Sequence, residues 1–282
     1  MPQLVEDFLA KLLQHGNRID KMELFVTQFQ KFFLVLARMS GIFVMAPFFG
    51  SLNILPRIKA GLCLFISLTI FGVVNKHISI VPNNFPTYSL LVFSEVAIGL
   101  IIGFMATLVI STFQISGELY SVPMGFGIVN TIDPLSQIEQ PIIGQIIGLF
   151  ALLVFLGFGG HHMMLIAICK SYEIVPVLTL DSCSIVAKTM VTNFAAMFLT
   201  ALKISMPVMG VLFLVTLGMG LLAKVAPMMN IMVLGWAITI VAGMITLIFL
   251  FPLLAKVAVS LYEKLFYDID SLLIVLGKVK IR

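Results

Sequence analysis

Charged residues are scarce in this chain of 282 residues. Asp, Glu, Lys and Arg together make up 11% of the sequence, whereas apolar residues make up 60% and the mean hydropathy is +1.14. Soluble domains carry about a quarter charged residues, so the composition excludes an ordinary soluble domain and predicts an integral membrane protein. The basic residues are scattered near the ends of apolar runs, which argues against a nucleic-acid-binding surface.

The sequence also lacks the residue patterns of a metal centre or an active site. Cys63, Cys169 and Cys183 are too few and too far apart for a disulfide framework or a cysteine metal site. His161 and His162 are adjacent, so on a helix they point about 100° apart and cannot hold one metal in the i, i+4 manner. No Gly-rich phosphate loop or nucleophile motif is present. We therefore predict a protein that is not an enzyme and has neither a metal nor a cofactor.

The pattern of apolar runs divides the chain into a membrane domain with an amphipathic segment at each end. Residues 1–23 and 261–282 carry apolar residues at helical spacing among charges, which predicts helices at an interface or against a partner. Residues 24–260 form the predicted membrane domain. Its apolar runs are 24–46, 60–74, 88–113, 141–169, 185–223 and 228–255.

Two of these runs do not fit one bilayer crossing. The run 60–74 is shorter than the ~20 residues that a transmembrane helix needs. The run 185–223 would reach roughly 58 Å as a single helix, nearly twice the hydrocarbon thickness. Lys203 and Pro207 lie near its middle, and because proline removes a hydrogen bond and clashes with the preceding turn, we predict two shorter helices there.

The interval from Gly117 to Gln140 is polar and contains no basic residue, although apolar runs flank it on both sides. Its polar, glycine and proline residues include Glu118, Pro123, Gly125, Gly127, Asn130, Asp133, Pro134, Gln137, Glu139 and Gln140. Irregular backbone of this kind cannot face lipid, because hydrocarbon offers no partner to its N–H and C=O groups. We predict that the interval lines water or packs inside protein, as a gate, a filter or a binding site.

Glu95 lies inside the run 88–113, where an ionised carboxylate is costly. Two interpretations stay open: a proton or ion relay, or a helix-interface carboxylate that is protonated or paired with a basic residue. Gly99 and Gly103 follow on one helix face, which predicts close approach by another helix. The candidate basic partners are Lys31, Arg38 and Lys203.

Several short motifs occur in a characteristic order along the chain. They are the turn Pro56-Arg57-Ile58-Lys59, Glu95 with Gly99 and Gly103, Gly117-Glu118, Met124-Gly125-Phe126, Asp133-Pro134, Pro141, Phe158-Gly159-Gly160-His161-His162, Pro176 and Ala226-Pro227-Met228-Met229-Asn230-Ile231. Together they resemble the FliR family, the membrane export-gate subunit of the flagellar type III secretion apparatus, over about residues 24 to 262. The chain departs from that family at Met228, where Gln is usual, and at Trp236-Ala237, where an aromatic-Pro pair is usual. The Gly-Gly-His-His run favours the flagellar branch over the homologous injectisome subunits.

The resemblance implies an all-α membrane protein of bent helical hairpins that takes part in a helical cone. The chain would resemble a fused P-type and Q-type pair, present as one copy with about five P-type and about four Q-type subunits. The B-type switch protein, the A-type export protein, and the MS-ring and rod proteins are the other implied partners. The implied location is the bacterial inner membrane at the flagellar basal body, among membrane lipid. The implied function is passage of unfolded flagellar proteins.

The resemblance also implies that the central loop is the plug of the closed pore, which maps to Met124 to Gln140 here. The hypothesis for its residues is that glycines, Asn130 and Asp133-Pro134 allow movement, whereas Met124, Phe126 and Ile128 seal. The predicted plug residues are Met124, Gly125, Phe126, Gly127, Ile128, Asn130, Asp133, Pro134, Gln137 and Gln140. The predicted helix-interface or gating residues are Glu95, Gly99, Gly103, Glu118, His161 and His162.

A stand-alone secondary transporter or channel, with Glu95 as its coupling carboxylate, is the alternative from another class. It predicts inverted repeats, and the chain shows no clear internal repeat.

Overall fold

The computed structural model of the chain describes residues 2–50, 55–76, 78, 82, 84–126, 141–175, 180–226, 228 and 231–279. These ranges contain helices and turns and no strand, which confirms the predicted all-α class. The helices are α1 (Pro2–Met45), α2 (Pro56–Val74), α3 (Phe85–Met124), α4 (Ile142–Gly157), α5 (Gly160–Ile174), α6 (Leu180–Val225) and α7 (Ile231–Val279).

Helix α3 is the centre of the fold. It is 40 residues long, and it packs against α1, α4, α6 and α7. Of its most apolar stretch, 56% of the residues are buried, compared with 17% for α6 and 28% for α7. The helix begins with Pro86 in its first turn, where a missing N–H does no harm. It ends at Met124, and the next residue, Gly125, has a φ of 99° in the left-handed region that glycine adopts without steric cost.

Four helices in the described ranges, α2, α3, α6 and α7, are long and apolar enough to cross a membrane. Helix α2 reaches 19 residues because it begins at Pro56, so the expectation that the run 60–74 is too short for a crossing is wrong. A fifth crossing exists if α4 and α5 together form one span, because they are bent by 65° at a two-residue break. Gly159 at that break has a φ of 75°. The apolar run 141–169 is therefore divided between two helices. Helix α1 is not among the four, and its apolar part contains Lys31 and Arg38.

The predicted break at Lys203 and Pro207 is wrong, because α6 runs unbroken through Pro207 for 46 residues. Proline in a helix interior costs roughly 3 kcal/mol, so packing has to offset the loss. Residues on both sides of the proline supply this packing, since Ala201, Val208 and Leu212 are all fully buried on one face. Tertiary packing against α3 thus keeps the helix continuous where local propensity favours a break.

The irregular part of the predicted polar interval begins later than Gly117. Helix α3 continues to Met124, because Gly117, Tyr120 and Met124 recur on its buried face and carry it along α4 and α7. The C-terminal apolar face is likewise part of a longer helix. Its members, all buried and all in α7, are Leu265, Ile269, Leu272 and Leu276.

The crossing of α1 over α3 depends on glycine. A Cβ on Gly41 would lie 2.5 Å from the Val96 carbonyl oxygen and 2.8 Å from the Leu100 nitrogen. A Cβ on Gly99 would overlap the Arg38 carbonyl oxygen, and one on Gly103 would lie 2.9 Å from Met45 Cβ. The two backbones can therefore touch only while these positions have no side chain, as expected for a small-xxx-small face.

We expect Gly41→Ala to destabilise the protein by about 1–3 kcal/mol, because its methyl group would meet backbone atoms that cannot move aside. The measurement is the midpoint of thermal unfolding of the detergent-solubilised protein. Gly210→Ala is the matched control, since Gly210 lies in α6 with open space around its Cβ position. That control should be neutral or stabilising by up to about 1 kcal/mol. A Gly41→Ala protein that unfolds no earlier than the wild type would contradict this account of the crossing.

Candidate functional site

A buried ion pair joins α1 to α3. The Arg38 Nε donates to Glu95 Oε2 at 2.6 Å, and Nη2 donates to Glu95 Oε1 at 3.0 Å. The exposed fraction is 0% for Arg38 and 2% for Glu95. This two-point geometry is the strongest arrangement available to an arginine and a carboxylate. The structure thus gives Arg38 as the partner of Glu95 among the three basic candidates.

Helix α5 completes the environment of the guanidinium group. Arg38 Nη1 donates to the Ser171 hydroxyl at 2.7 Å, and Nη2 also donates to the Val175 carbonyl oxygen at 3.1 Å. The Tyr172 ring lies 3.7 Å from the guanidinium carbon, and its hydroxyl donates to the Leu34 carbonyl oxygen at 3.4 Å. Val175 directly follows α5, so Arg38 binds one of the carbonyl groups that a helix end leaves without a partner.

The chemistry of this cluster favours the helix-interface interpretation of Glu95 over a relay. Both carboxylate oxygens already accept hydrogen bonds from Arg38, and both side chains are shielded from solvent. A relay residue must exchange its proton with another group, whereas here the charge is held by a fixed counter-ion. The cluster therefore joins α1, α3 and α5.

The residues at the end of α3 contact α7. Met124 is fully buried, and a Cβ on Gly243 would lie 2.6 Å from Met124 Cε and 2.9 Å from its sulfur. The Thr239 hydroxyl lies 3.3 Å from the Met124 carbonyl oxygen. Gly125 lies beside Trp236, and Phe126 packs against the core. The N-terminal end of the predicted plug is therefore held by α7.

Glycines also bring α3 against α4. A Cβ on Gly117 would lie 2.6 Å from the Gly144 Cα, and one on Gly144 would lie 3.1 Å from Glu118 Cγ. Glu118 is half-buried and has no ion-pair partner among the described residues. Gly144 and Gly148 have the same small-xxx-small spacing as Gly99 and Gly103, a signal that sequence reasoning missed.

The two adjacent histidines, His161 and His162, are exposed in the first turn of α5. Gly160 before them packs onto the Phe155 ring, so the bend between α4 and α5 presents both imidazoles outwards. No group of three His, Cys, Asp or Glu side chains in the described part of the chain is placed to hold a metal ion. The histidines are remote in sequence from the other predicted site residues, and no described contact links them to the ion pair.

The remaining predicted plug residues lie outside the described residues. They are Gly127, Ile128, Asn130, Asp133, Pro134, Gln137 and Gln140. Sequence reasoning also did not find Ser171, Tyr172 and Val175 around Arg38. They lie more than 130 positions further along the chain, and nothing local distinguishes them from other residues of an apolar helix.

These features define the chain as an all-α integral membrane protein whose apolar helices pack around α3 and a buried ion pair. The chain belongs to family 1 of the bacterial export proteins, whose model matches residues 29–265.

Curated relatives match most of the chain. It is 32% identical over 262 residues to the flagellar biosynthetic protein FliR of Bacillus subtilis, covering 91% of this chain and 99% of that relative. The FliR protein of Escherichia coli is 27% identical over 241 residues, covering 83% of this chain and 89% of the relative. The surface presentation of antigens protein SpaR of Shigella sonnei is 26% identical over 196 residues, covering 70% and 75%.

We expect Glu95→Gln to destabilise the protein by about 3–5 kcal/mol, because it leaves the Arg38 charge buried without a counter-ion. Thermal unfolding of the detergent-solubilised protein measures the change. Replacing both residues with methionine should recover part of the loss, because a buried ion pair can often be replaced by apolar side chains.

The control for that experiment is the pair of Lys170 with Asp270, which has a nitrogen–oxygen distance of 2.9 Å and side chains 48% and 42% exposed. Asp270→Asn should cost at most about 1 kcal/mol, since water screens exposed pairs. Equal losses of stability for Glu95→Gln and Asp270→Asn would show that the buried pair contributes no more to stability than the exposed pair.

Proposed function

We propose that this chain is a structural and gating subunit of the flagellar type III protein export channel, through which unfolded flagellar proteins cross the inner membrane. Membership of the bacterial export family supports this, as do FliR relatives matched over most of their length. The SpaR relative is matched over less of the chain, which favours the flagellar branch. In this role the chain catalyses no reaction. The energy for export comes from other components.

The observation that carries the proposal is the exposed apolar surface of α6. Large apolar side chains are exposed from Val191, 69% exposed, to Val225, 82% exposed. These two residues are 34 positions apart, which is about 51 Å along a helix. A hydrocarbon core of ~30 Å could contain that length only at a tilt of about 54°, beyond the ~40° seen for membrane helices. Protein partners must therefore cover part of α6.

The helices fall into two groups, α1 to α5 and α6 with α7, and this division supports a place for the chain among similar subunits. Helices α6 and α7 pack together and are joined by residues 226–230, so they form one long hairpin, which the proposal assigns to the Q-type part. On this proposal helices α1 to α5, which lie around the Arg38–Glu95 pair, are the P-type part. On this proposal one copy joins about five P-type and about four Q-type subunits, with the B-type switch protein, the A-type export protein and the MS-ring and rod proteins as neighbours.

The segment from Met124, the last residue of α3, to Gln140 is the proposed pore plug. Its first residues, Met124 and Gly125, contact α7 through Gly243, Thr239 and Trp236, which supports a fixed start for the segment. The residues that follow carry a glycine, a proline and amides but no basic side chain. Such a segment can exchange hydrogen bonds with water in open and closed states of a pore.

We expect a tagged copy of this chain, purified from flagellated cells in mild detergent, to bring with it two other small membrane proteins of the P and Q types. The apolar surface of α6 is the physical reason, since it exceeds what lipid can cover. Mass spectrometry of the native complex measures the composition. An equally abundant tagged membrane protein is the control. Recovery of the chain alone or as a homo-oligomer would contradict the export-gate proposal and favour a stand-alone transporter.

We expect replacement of residues 127–140 by a short Gly-Ser linker to make the purified gate complex leak ions, because the plug would be gone while α3 and α4 stay connected. Ion flux into liposomes that contain the complex measures the leak. The control is the same replacement of residues 77–83 between α2 and α3. An intact complex that stays ion-tight after the first replacement would reject the plug assignment.

A further inference from the structure

We propose that the groove between α3 and α4 is a contact surface for an extended polypeptide in transit, which it binds through uncharged polar side chains. This inference rests on the proposed export function and adds to it a location on this chain for the moving substrate. The groove has a volume of about 380 Å³ and is open on one side. That volume falls within the range of roughly 300–1,000 Å³ found for ligand pockets.

The polar wall of the groove belongs to α3. Thr107, Ser111 and Gln114 line the groove, and they recur at intervals of four and three residues, so they lie on one helix face. Glu118 continues the same face one turn further on. Each of these four side chains is half-buried. The face is about 17 Å long from Thr107 to Glu118, enough for roughly five residues of an extended chain.

The floor of the groove exists because of a glycine in α4. A Cβ on Gly148 would lie 2.5 Å from Gln114 Cγ and 3.0 Å from its amide nitrogen, so Gln114 lies flat against the α4 backbone. On the α4 side, Gln145, Leu149 and Leu152 line the groove. Leu149 is 60% exposed. The opposite wall is therefore mostly apolar, and it carries no basic or acidic residue.

The α3 wall has hydrogen-bonding capacity that the described part of the chain does not use. The Thr107 hydroxyl bonds the Gly103 carbonyl oxygen at 3.1 Å. The Ser111 and Gln114 side chains, in contrast, make no hydrogen bond with any described residue. Polar groups without partners are costly against hydrocarbon, so this face does not turn towards lipid. Whatever occupies the groove has to bring polar groups of its own.

An extended polypeptide meets that requirement regardless of its sequence. Its backbone presents N–H and C=O groups at every residue, whereas a helix has already satisfied its own. A glutamine amide and a serine hydroxyl can each donate and accept, so they can bond such a backbone in any register. The apolar wall formed by Leu149 and Leu152 accommodates side chains without selecting charge. A surface with these properties suits many different unfolded proteins and holds none of them tightly.

The test is photocross-linking in cells that carry the full-length chain in the intact export apparatus. A photoreactive amino acid replaces Ser111 or Gln114, and an export substrate fused to a tightly folded domain stalls in the channel. The expected result is a cross-link to the substrate at both positions, present only when the substrate is stalled. Phe93 is the control position, because it lies on the same helix, is 78% exposed and does not line the groove.

A second measurement changes the groove without a probe. Ser111→Ala with Gln114→Leu removes the polar groups at similar total volume, and it should slow export by about five- to 150-fold, since it removes two hydrogen bonds worth about 0.5–1.5 kcal/mol each. Ser111→Thr with Gln114→Asn keeps the polar groups and should export at close to the normal rate. Both variant complexes should still purify with their partner subunits.

Three outcomes would overturn the inference. The first is that Ser111 and Gln114 cross-link to a fixed membrane subunit whether or not the substrate is present. The second is that the photoreactive residue at Phe93 forms cross-links while those at Ser111 and Gln114 form none. The third is normal export by the apolar double variant. The export function itself has separate tests. If the chain does not purify with other small membrane subunits, or if its removal leaves flagellar export intact, then the proposed function fails whatever the groove contacts.

Discussion

Burial of two opposite charges governs how the first half of this protein is assembled. Neither Arg38 nor Glu95 can be taken out of water alone without a penalty of several kcal/mol, and here both are almost completely buried. The guanidinium group satisfies its donors only when α1, α3 and α5 are all in place, because Ser171 and Val175 supply what Glu95 does not. We interpret the pair as a determinant of register, in which a displaced helix would leave a buried charge without its partner.

The ion pair can form only where the helices approach each other closely, and glycines allow that approach. Gly41 and Gly99 let α1 and α3 touch where the ion pair forms, and Gly117 and Gly144 do the same for α3 and α4. Helices α1 to α5 are thus held together by close backbone contacts and one buried charge pair, in addition to their apolar core. The long hairpin of α6 and α7 is different, since most of its apolar stretches remain exposed. One part of the chain buries its apolar surface and the other leaves it exposed, which suits a place in an assembly of several subunits.

Sequence patterns predicted much of this and failed for identifiable reasons. Low charge and long apolar runs predict a helical membrane protein, and Gly99 and Gly103 predict a helix crossing. The continuity of α6 through Pro207 could not be predicted, because the energy that offsets the proline comes from the burial of Ala201, Val208 and Leu212 against neighbouring helices. The extension of α3 to Met124 was missed for a similar reason. The glycine and polar residues there favour a loop locally, but contacts with α4 and α7 keep the helix.

The amino-acid sequence by itself determined the membrane character, the all-helical class and the family, because composition, apolar spacing and ordered motifs are local properties that need no neighbours. It also gave Glu95 as a residue that requires an explanation. Only the tertiary structure decided that Arg38 is its counter-ion, that Ser171 and Tyr172 complete the cluster, and that Ser111 and Gln114 share a groove with α4. Those relations join residues that are distant in the chain, and their energies arise from burial, which exists only once the helices have packed.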